Sequence, residues 1–294
     1  MHPKLTAKLR RYDWPKIISE NVHIALQEDL GPDTIDVTAQ LIDEHAEFTA
    51  DLWVREYCRL AGQDWFTESF RQVSEAVCVE WYYQDGDDIP ANSHVATVTG
   101  PARAILTAER TAINFLQTLS GTATRTANWQ KKIAQQHTVL LDTRKTIPGL
   151  RFAQKYAVFC GGGQNHRIGL FDQFLIKENH IAAAGSIVKA IDKARKLAPT
   201  LKVEVEVENW EEFQAAVEGK ADIIMLDNFT LDDIRRAIHW LSEQDITPRP
   251  MLEASGNISE DNLADYAATG VDYISSGALT KSVSAIDFSL RYRT

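Results

Sequence analysis

From about residue 107 onward the chain alternates short apolar segments with amphipathic helical ones, and this alternation narrows the choice of fold more than any other feature. Strands are expected at 138–142, 174–177, 202–207, 222–226, 250–254 and 272–275, with helices at 107–133, 183–197, 210–218, 231–242 and 260–269. A helix between successive strands returns the chain to the same end of the sheet, so the pattern implies a parallel sheet. Its regularity favours a barrel over an open, doubly wound sheet. In such barrels the chemistry gathers at the C-terminal ends of the strands. Here Asp142-Thr143-Arg144-Lys145, Lys177-Glu178-Asn179, Glu206-Val207-Glu208-Asn209, Asp227-Asn228, Ser255-Gly256-Asn257 and Ser276-Gly277 each follow directly on a strand. All six are expected to converge on one mouth.

The first hundred residues read differently. Residues 15–30 form an amphipathic helix with Ile17, Ile18, Val22, Ala25 and Leu26 on one face, stopped by Gly31 and Pro32. Residues 46–56 alternate as a half-buried strand, with Ala46, Phe48, Ala50, Leu52 and Val54 on one side. Further strands are expected at 77–84 and 94–100, with a turn at Gln84-Asp85-Gly86. Strands with few helices indicate an α+β first domain.

Charge is distributed unevenly. Between Arg144 and Lys177 stand six Lys/Arg (Arg144, Lys145, Arg151, Lys155, Arg167, Lys177) against one acid, Asp172, which leaves 25 bases and 40 acids for the remainder of a chain of net charge −10. A cationic island in an anionic protein points to a small negative ligand. Arginine matches planar carboxylates and phosphates with a two-pronged fork, and lysine offers a compact charge to phosphate oxygens, so a ligand bearing both groups is expected. The overall acidity argues against nucleic acid and anionic membranes as partners. The three cysteines, Cys58, Cys78 and Cys160, have no metal-ligand spacing and form no disulfide framework; with no apolar run of membrane-spanning length and no hydrophobic signal core, the expectation is a cytoplasmic protein with reduced thiols.

Several motifs carry two readings. Glu204, Glu206 and Glu208 form either the solvated face of an ordinary strand or, inside a barrel, a row of acids that needs partners, with Asp227 on the next strand beside Glu206. Two such acids at a cationic mouth can pair structurally, hold Mg²⁺ through oxygen, or accept hydrogen bonds from sugar hydroxyls. Gly161-Gly162-Gly163 fits neither a P-loop nor a dinucleotide fingerprint; followed by His166-Arg167 it reads as a loop shaped around an anion, or as a plain turn. The glycine-containing segments at 255–257 and 276–278 are expected to open onto a helix or helical turn, where backbone N–H groups after glycine hold phosphate, or to be ordinary strand-helix caps. Glu109-Arg110 is placed at the start of the long helix, where an arginine opposes the dipole and reads as a surface charge.

Taken together, ERTAINFLQTLSG, LLDTRKTIPGLR, CGGGQNHRIGL, LIKENHI, VEVEVEN, DIIMLDN, LEASGNI and ISSGALTKS, with EDLG and DVTA before them and DFSLRY after, resemble the quinolinate phosphoribosyltransferase family. The resemblance implies an N-terminal α/β sandwich over residues 1–108, with 284–294 returning to it, and an open, incomplete TIM-like α/β barrel over 109–283. It implies transfer of phosphoribose from phosphoribosyl pyrophosphate to quinolinate with decarboxylation, using Mg²⁺, in de novo NAD biosynthesis. By resemblance, Thr143, Arg144, His166, Arg167 and Lys177 hold quinolinate, with Arg110 supplied across the interface of a homodimer or higher oligomer. Lys145, Glu206, Asp227, Ser255, Gly256, Asn257, Ser276, Gly277 and Ala278 meet phosphoribosyl pyrophosphate. Lys145, Lys177, Glu206 and Asp227 are the catalytic group, and Glu206 and Asp227 the metal ligands. Phe171 and Gln173 depart from the family pattern, which has smaller residues there. Three rivals are a phosphoribosyltransferase acting on another heterocyclic acid without decarboxylation, a non-catalytic relative that keeps the fold, and a Schiff-base aldolase using Lys177.

Overall fold

The structure, a computed structural model, describes residues 5–293 and falls into two compact units. The first unit takes the chain as far as Ala127, then Thr146–Gly162, then the chain from Leu279 onward; the second comprises Asn128–Lys145 and Gly163–Ala278. The division at 108/109 expected from the sequence falls inside one continuous helix.

Helix α1 (Trp14–Leu30) starts where the Asp13 side chain accepts the Lys16 N–H at 3.2 Å and ends at Gly31, and it buries Trp14, Ile18, Val22 and Leu26 along one stripe. Strand β1 (Glu47–Val54) buries Ala50, Leu52 and Val54, as its alternation predicts. Next come the short β2 (Cys58–Arg59), helix α2 (Gln63–Val73), β3 (Cys78–Trp81), β4 (Asp88–Ile89), β5 (Ser93–Pro101) and the long helix α3 (Ala102–Lys132). Because α3 begins at Ala102, Arg110 is exposed more than two turns into the helix rather than at its start, so no dipole penalty applies. The first unit also takes α4 (Arg151–Cys160), which lies between β6 (Val139–Leu141) and β7 (Phe174–Ile176) in the chain.

The second unit continues through α5 (Glu178–Ala184), α6 (Ile187–Leu197), β8 (Val203–Val207), α7 (Trp210–Glu218), β9 (Ile223–Asp227), α8 (Leu231–Ser242), β10 (Met251–Ser255), α9 (Leu263–Ala267) and β11 (Tyr273–Ser275). A four-residue helix, α10 (Ala278–Lys281), follows, and β12 (Phe288–Tyr292) ends the fold. The single helix expected at 183–197 is two, because Gly185 ends α5 and the Ser186 hydroxyl accepts the Lys189 N–H at 3.2 Å to start α6.

The antiparallel sheet of the first unit runs β12-β1-β5-β3, with Leu52 opposite both Ala96 and Leu290, so the C-terminal strand returns to the first domain as the resemblance implies. Its core collects Leu52, Val54, Phe66, Phe70, Ile105 and Phe288. In the second unit six parallel strands lie in the order β6-β11-β10-β9-β8-β7. Successive strands are neighbours and the first abuts the last, which is the cyclic order of a barrel left open between β6 and β7. The face turned to the helices is apolar: Leu140, Val203, Val205, Val207, Ile224, Leu226, Leu252 and Ile274 are fully buried. Each such side chain contributes about 1.5–3 kcal/mol.

The Gln84-Asp85-Gly86 turn folds inward. Asp85 accepts from the Tyr156 hydroxyl at 2.7 Å and from the Gln63 N–H at 3.3 Å. Burial nevertheless pushes its carboxyl up to about 6, with these bonds opposing the shift. A raised carboxyl pKa contributes stability below the unfolded value and loses it as pH climbs through the folded one. Asp85→Asn should therefore gain stability relative to the wild type by up to about 3 kcal/mol on going from about pH 4 to about pH 8. Urea denaturation at both pH values checks this; a difference that does not change with pH would contradict it.

Candidate active site

Parallel register puts the chemistry on one face. Glu206 pairs with Met225, Met225 with Glu253, Asp227 with Ser255 and Glu253 with Tyr273, so these side chains share the barrel-interior side of the sheet while the aliphatic residues alternate outward. All the expected site residues except Arg110 belong to the second unit; Arg110 belongs to the first.

After β6 the Asp142 carboxylate, fully buried, accepts the His166 N–H at 3.0 Å and the Asn165 amide at 2.6 Å, and Leu141 forms a parallel bridge with Gln164. Asp142 thereby ties the strand carrying Thr143-Arg144-Lys145 to the segment carrying His166-Arg167. Arg167 is 8% exposed, with no carboxylate within salt-bridge distance of its guanidinium among the described residues. Burial lowers its pKa, the charge of Arg144 lowers it further, and Glu204, Asp172 and Glu206 act against both. Two guanidiniums whose charges act on each other, one of them buried and without a carboxylate at salt-bridge distance, could receive a planar anion.

Lys177 at the end of β7 and Glu206 on β8 are in direct contact as ammonium and carboxylate. Asp227 at the end of β9 is half-buried and accepts the Asn228 amide at 3.0 Å. These two carboxylates on adjacent strands supply the oxygen donors that a hard cation such as Mg²⁺ takes, and Asp227, bound only by a neutral amide, is the freer of the two.

Glu208 departs from the expectation that the acidic row needs partners. It is exposed beyond β8, its N–H is taken by Glu212 at 2.9 Å, and Asn209 caps α7. Glu204 is the opposite case. With Glu253 it is completely buried; His166 Nε2 lies 2.9 Å from Glu204 Oε2 and 3.4 Å from Glu253 Oε2, and Gln173 donates to Glu204 at 2.7 Å. Burial, and then the charge of Glu253, push the Glu204 carboxyl up to about 7. Burial pulls the His166 pKa down, but Glu253 and Glu204 outweigh it and raise it to about 10. A doubly protonated ring would need a proton on Nδ1, yet Nδ1 accepts the Arg167 N–H at 2.8 Å. The geometry therefore leaves Nδ1 bare, and the one ring proton is on Nε2. The three ligand atoms are close enough to surround a cation. Metal-bound imidazoles donate their second N–H to an acceptor, and here the second nitrogen faces a donor, so the cluster is built for a proton rather than a metal.

The glycine run is not an anion loop. A Cβ on Gly161 would stand 2.5 Å from the Ala123 carbonyl oxygen, so Gly161 permits α4 to close on α3, and both it and Gly162 belong to the first unit. Nor does the 255–257 loop open onto a helix, since α9 begins only at Leu263. That loop is instead locked to β9: Gly256 (φ +98°) leaves no room for a Cβ, which would lie 2.2 Å from Asn228 Oδ1, and Asn257 donates to the same atom at 3.2 Å. The 276–278 segment does lead into α10, and Gly277 packs on Lys145, where a Cβ would lie 2.7 Å from Lys145 Cδ. Glu253 thus joins these residues without having been singled out from the sequence, while Gln173 had been noted only as a departure from the family pattern and Asn228 only as following a strand. Glu253 could have been found from its spacing of two before Ser255, which puts both on one face of a strand.

Known proteins resemble this chain over most of its length. Models of the quinolinate phosphoribosyl transferase N-terminal and C-terminal domains match residues 36–120 and 122–291. A probable nicotinate-nucleotide pyrophosphorylase (carboxylating) from Bacillus subtilis is 40% identical over 265 residues, covering 90% of this chain and 89% of its own length. The Mycobacterium leprae nicotinate-nucleotide pyrophosphorylase (carboxylating) is 40% identical over 278 residues, covering 92% and 95%. Among solved structures, the nicotinate-nucleotide pyrophosphorylase of Francisella tularensis superimposes with a TM-score of 0.90 at 49% identity, covering 95% of this chain and 96% of that one. With matches to both domains and identity spread over nine-tenths of the chain, the protein belongs to the quinolinate phosphoribosyltransferase family.

Proposed function

We propose that this chain is a cytoplasmic quinolinate phosphoribosyltransferase (decarboxylating), which joins quinolinate to phosphoribosyl pyrophosphate and releases pyrophosphate and CO₂ to give nicotinate mononucleotide for NAD biosynthesis. The observation that carries the reading is the Arg144–Arg167 pair, a charged receptor for adjacent carboxylates at the mouth of the barrel of this family. Lys177 and Thr143 complete the quinolinate side, and His166 belongs to it through its place beside Arg167. Lys145 and the segments Ser255-Gly256-Asn257 and Ser276-Gly277-Ala278 take the phosphates, and Glu206 and Asp227 take the ribose hydroxyls. Asp227 and Glu206 would hold Mg²⁺, which when bound would supply charge neutralisation for the leaving pyrophosphate.

The residues of the chain divide the work. Departure of pyrophosphate leaves positive charge on the ribose, which Glu206 and Asp227 stabilise while Lys145 and Lys177 balance the leaving group. The pyridine nitrogen attacks, and the resulting pyridinium draws electrons from the neighbouring carboxylate as CO₂ is lost. Loss of CO₂ needs orientation and exclusion of water more than an acid or base, and the ring carbanion it leaves then takes a proton from solvent to complete the product. Lys177, engaged by Glu206 rather than set in an apolar pocket, suits anion binding better than Schiff-base chemistry. Retention of every acid and lysine of the motif argues against a non-catalytic relative.

Release of CO₂ from carboxyl-labelled quinolinate that depends on phosphoribosyl pyrophosphate tests the reading; absence of release, with transfer to another heterocyclic acid, would replace it with the non-decarboxylating alternative. Arg144→Lys keeps the charge but loses the fork, so quinolinate affinity should fall by about 10-fold or more while phosphoribosyl pyrophosphate affinity changes much less. Equal weakening of both ligands in calorimetry would show that Arg144 is not a carboxylate contact.

Arg110 is proposed to act in the site of a second copy within a homodimer. Arg110→Ala and Lys145→Ala would then be lesions in different halves of one shared site, and random exchange between the two inactive variants should restore about a quarter of wild-type activity. If mass spectrometry of tagged chains shows complete exchange and activity stays at background, the shared-site proposal fails.

A further inference from the structure

Outside the ligand-facing residues, the least expected feature is a pair of fully buried carboxylates, Glu204 and Glu253, around one imidazole. Both oxygens of Glu253 and one of Glu204 have no hydrogen-bond partner, so this pair is retained at a cost that ordinary packing does not demand. Both ring nitrogens of His166 are engaged inside the protein: Nε2 faces the two carboxylates, and Nδ1 accepts the Arg167 N–H at 2.8 Å. Neither is turned outward to a ligand. The next residue along is Arg167, whose guanidinium the proposed function assigns to a quinolinate carboxylate.

We infer that Glu253 is a positioning residue: with Glu204 it fixes the tautomer and rotation of the His166 ring, and through the Nδ1 contact with the Arg167 N–H it sets the direction in which Arg167 presents its guanidinium. This deepens the proposed function and rests on it for the identity of the anion. Gln173 pins Glu204 from the other side through its 2.7 Å bond. The carboxylate nearest Nε2, 2.9 Å away, is thus itself held in place, as orienting groups around an imidazole are. His166 then contributes to ligand binding through Arg167 rather than by direct contact.

A double-mutant cycle on quinolinate affinity, measured by calorimetry on the full chain, separates this from a merely structural role. Glu253→Gln removes the charge at constant volume and should weaken quinolinate by about 5- to 10-fold, with phosphoribosyl pyrophosphate affinity within about twofold of wild type. In a His166→Asn background the side chain still offers an acceptor near the Nδ1 position but does not reach the carboxylates. There Glu253→Gln should change quinolinate affinity by less than about twofold. Equal losses in both backgrounds, or equal losses for both substrates, would overturn the inference.

Should Glu253→Gln fail to fold, ¹⁵N-histidine spectra of the wild-type protein decide the matter, with the His166 signal assigned from the His166→Asn variant. The expected signature is a proton on Nε2 and a bare, hydrogen-bonded Nδ1; a protonated Nδ1 would overturn the inference. The spectrum is independent of turnover. Loss of the proposed activity would therefore leave this arm standing, and a wrong tautomer would leave the activity standing.

Discussion

A six-stranded parallel sheet with an apolar outer face permits polar side chains only in its interior or at its mouth, and the chemistry of this protein follows from that constraint. Leu140, Val205, Ile224, Leu252 and Ile274 seal the helix-facing side without exposure. The alternate positions of the same strands carry Glu204, Glu206, Asp227 and Glu253 inward. A one-residue slip in any of these strands would put acids against helices and aliphatics in the lumen, so the packing that stabilises the unit also specifies the site.

Interior acids and mouth cations are then balanced unequally. Glu206 has Lys177, and the Glu204–Glu253 pair has His166. Arg167 has no carboxylate at salt-bridge distance among the described residues, and it feels the repulsion of Arg144. Buried positive charge left in this condition would be stabilised by an incoming anion, even in a chain of net charge −10. The same accounting separates groups that hold ligand from groups that hold the holders: Asp142 anchors the His166 segment, and Asn228 anchors the 255–257 loop.

The barrel was legible because its signals are local. Each strand from β6 to β11 lies within about two residues of its expected bounds, since aliphatic runs ending in polar residues mark both burial and strand exit. Helices α2 and α4 had no such reading: Trp65, Phe66, Thr67 and Phe70 carry weak helix preference, and only tertiary burial of one face makes that segment helical. The cations after β6 and β7 were legible from charge alone. The roles of Glu253 and Gln173 were not, because they depend on strand register and on a contact between residues 31 positions apart. The glycine run misled for a related reason, as Gly161 answers to a helix contact with Ala123 rather than to a ligand.

The central claim is that the mouth of this barrel is a receptor for two adjacent carboxylates. Calorimetric titration of the wild-type protein with quinolinate and with nicotinate, which lacks one of the two, tests it without requiring turnover. The account predicts that quinolinate binds at least about 10-fold more tightly, with the difference shrinking as salt is raised, because part of it is the Coulomb attraction of Arg144 and Arg167. Equal affinities for the two acids, at low and high salt alike, would contradict it.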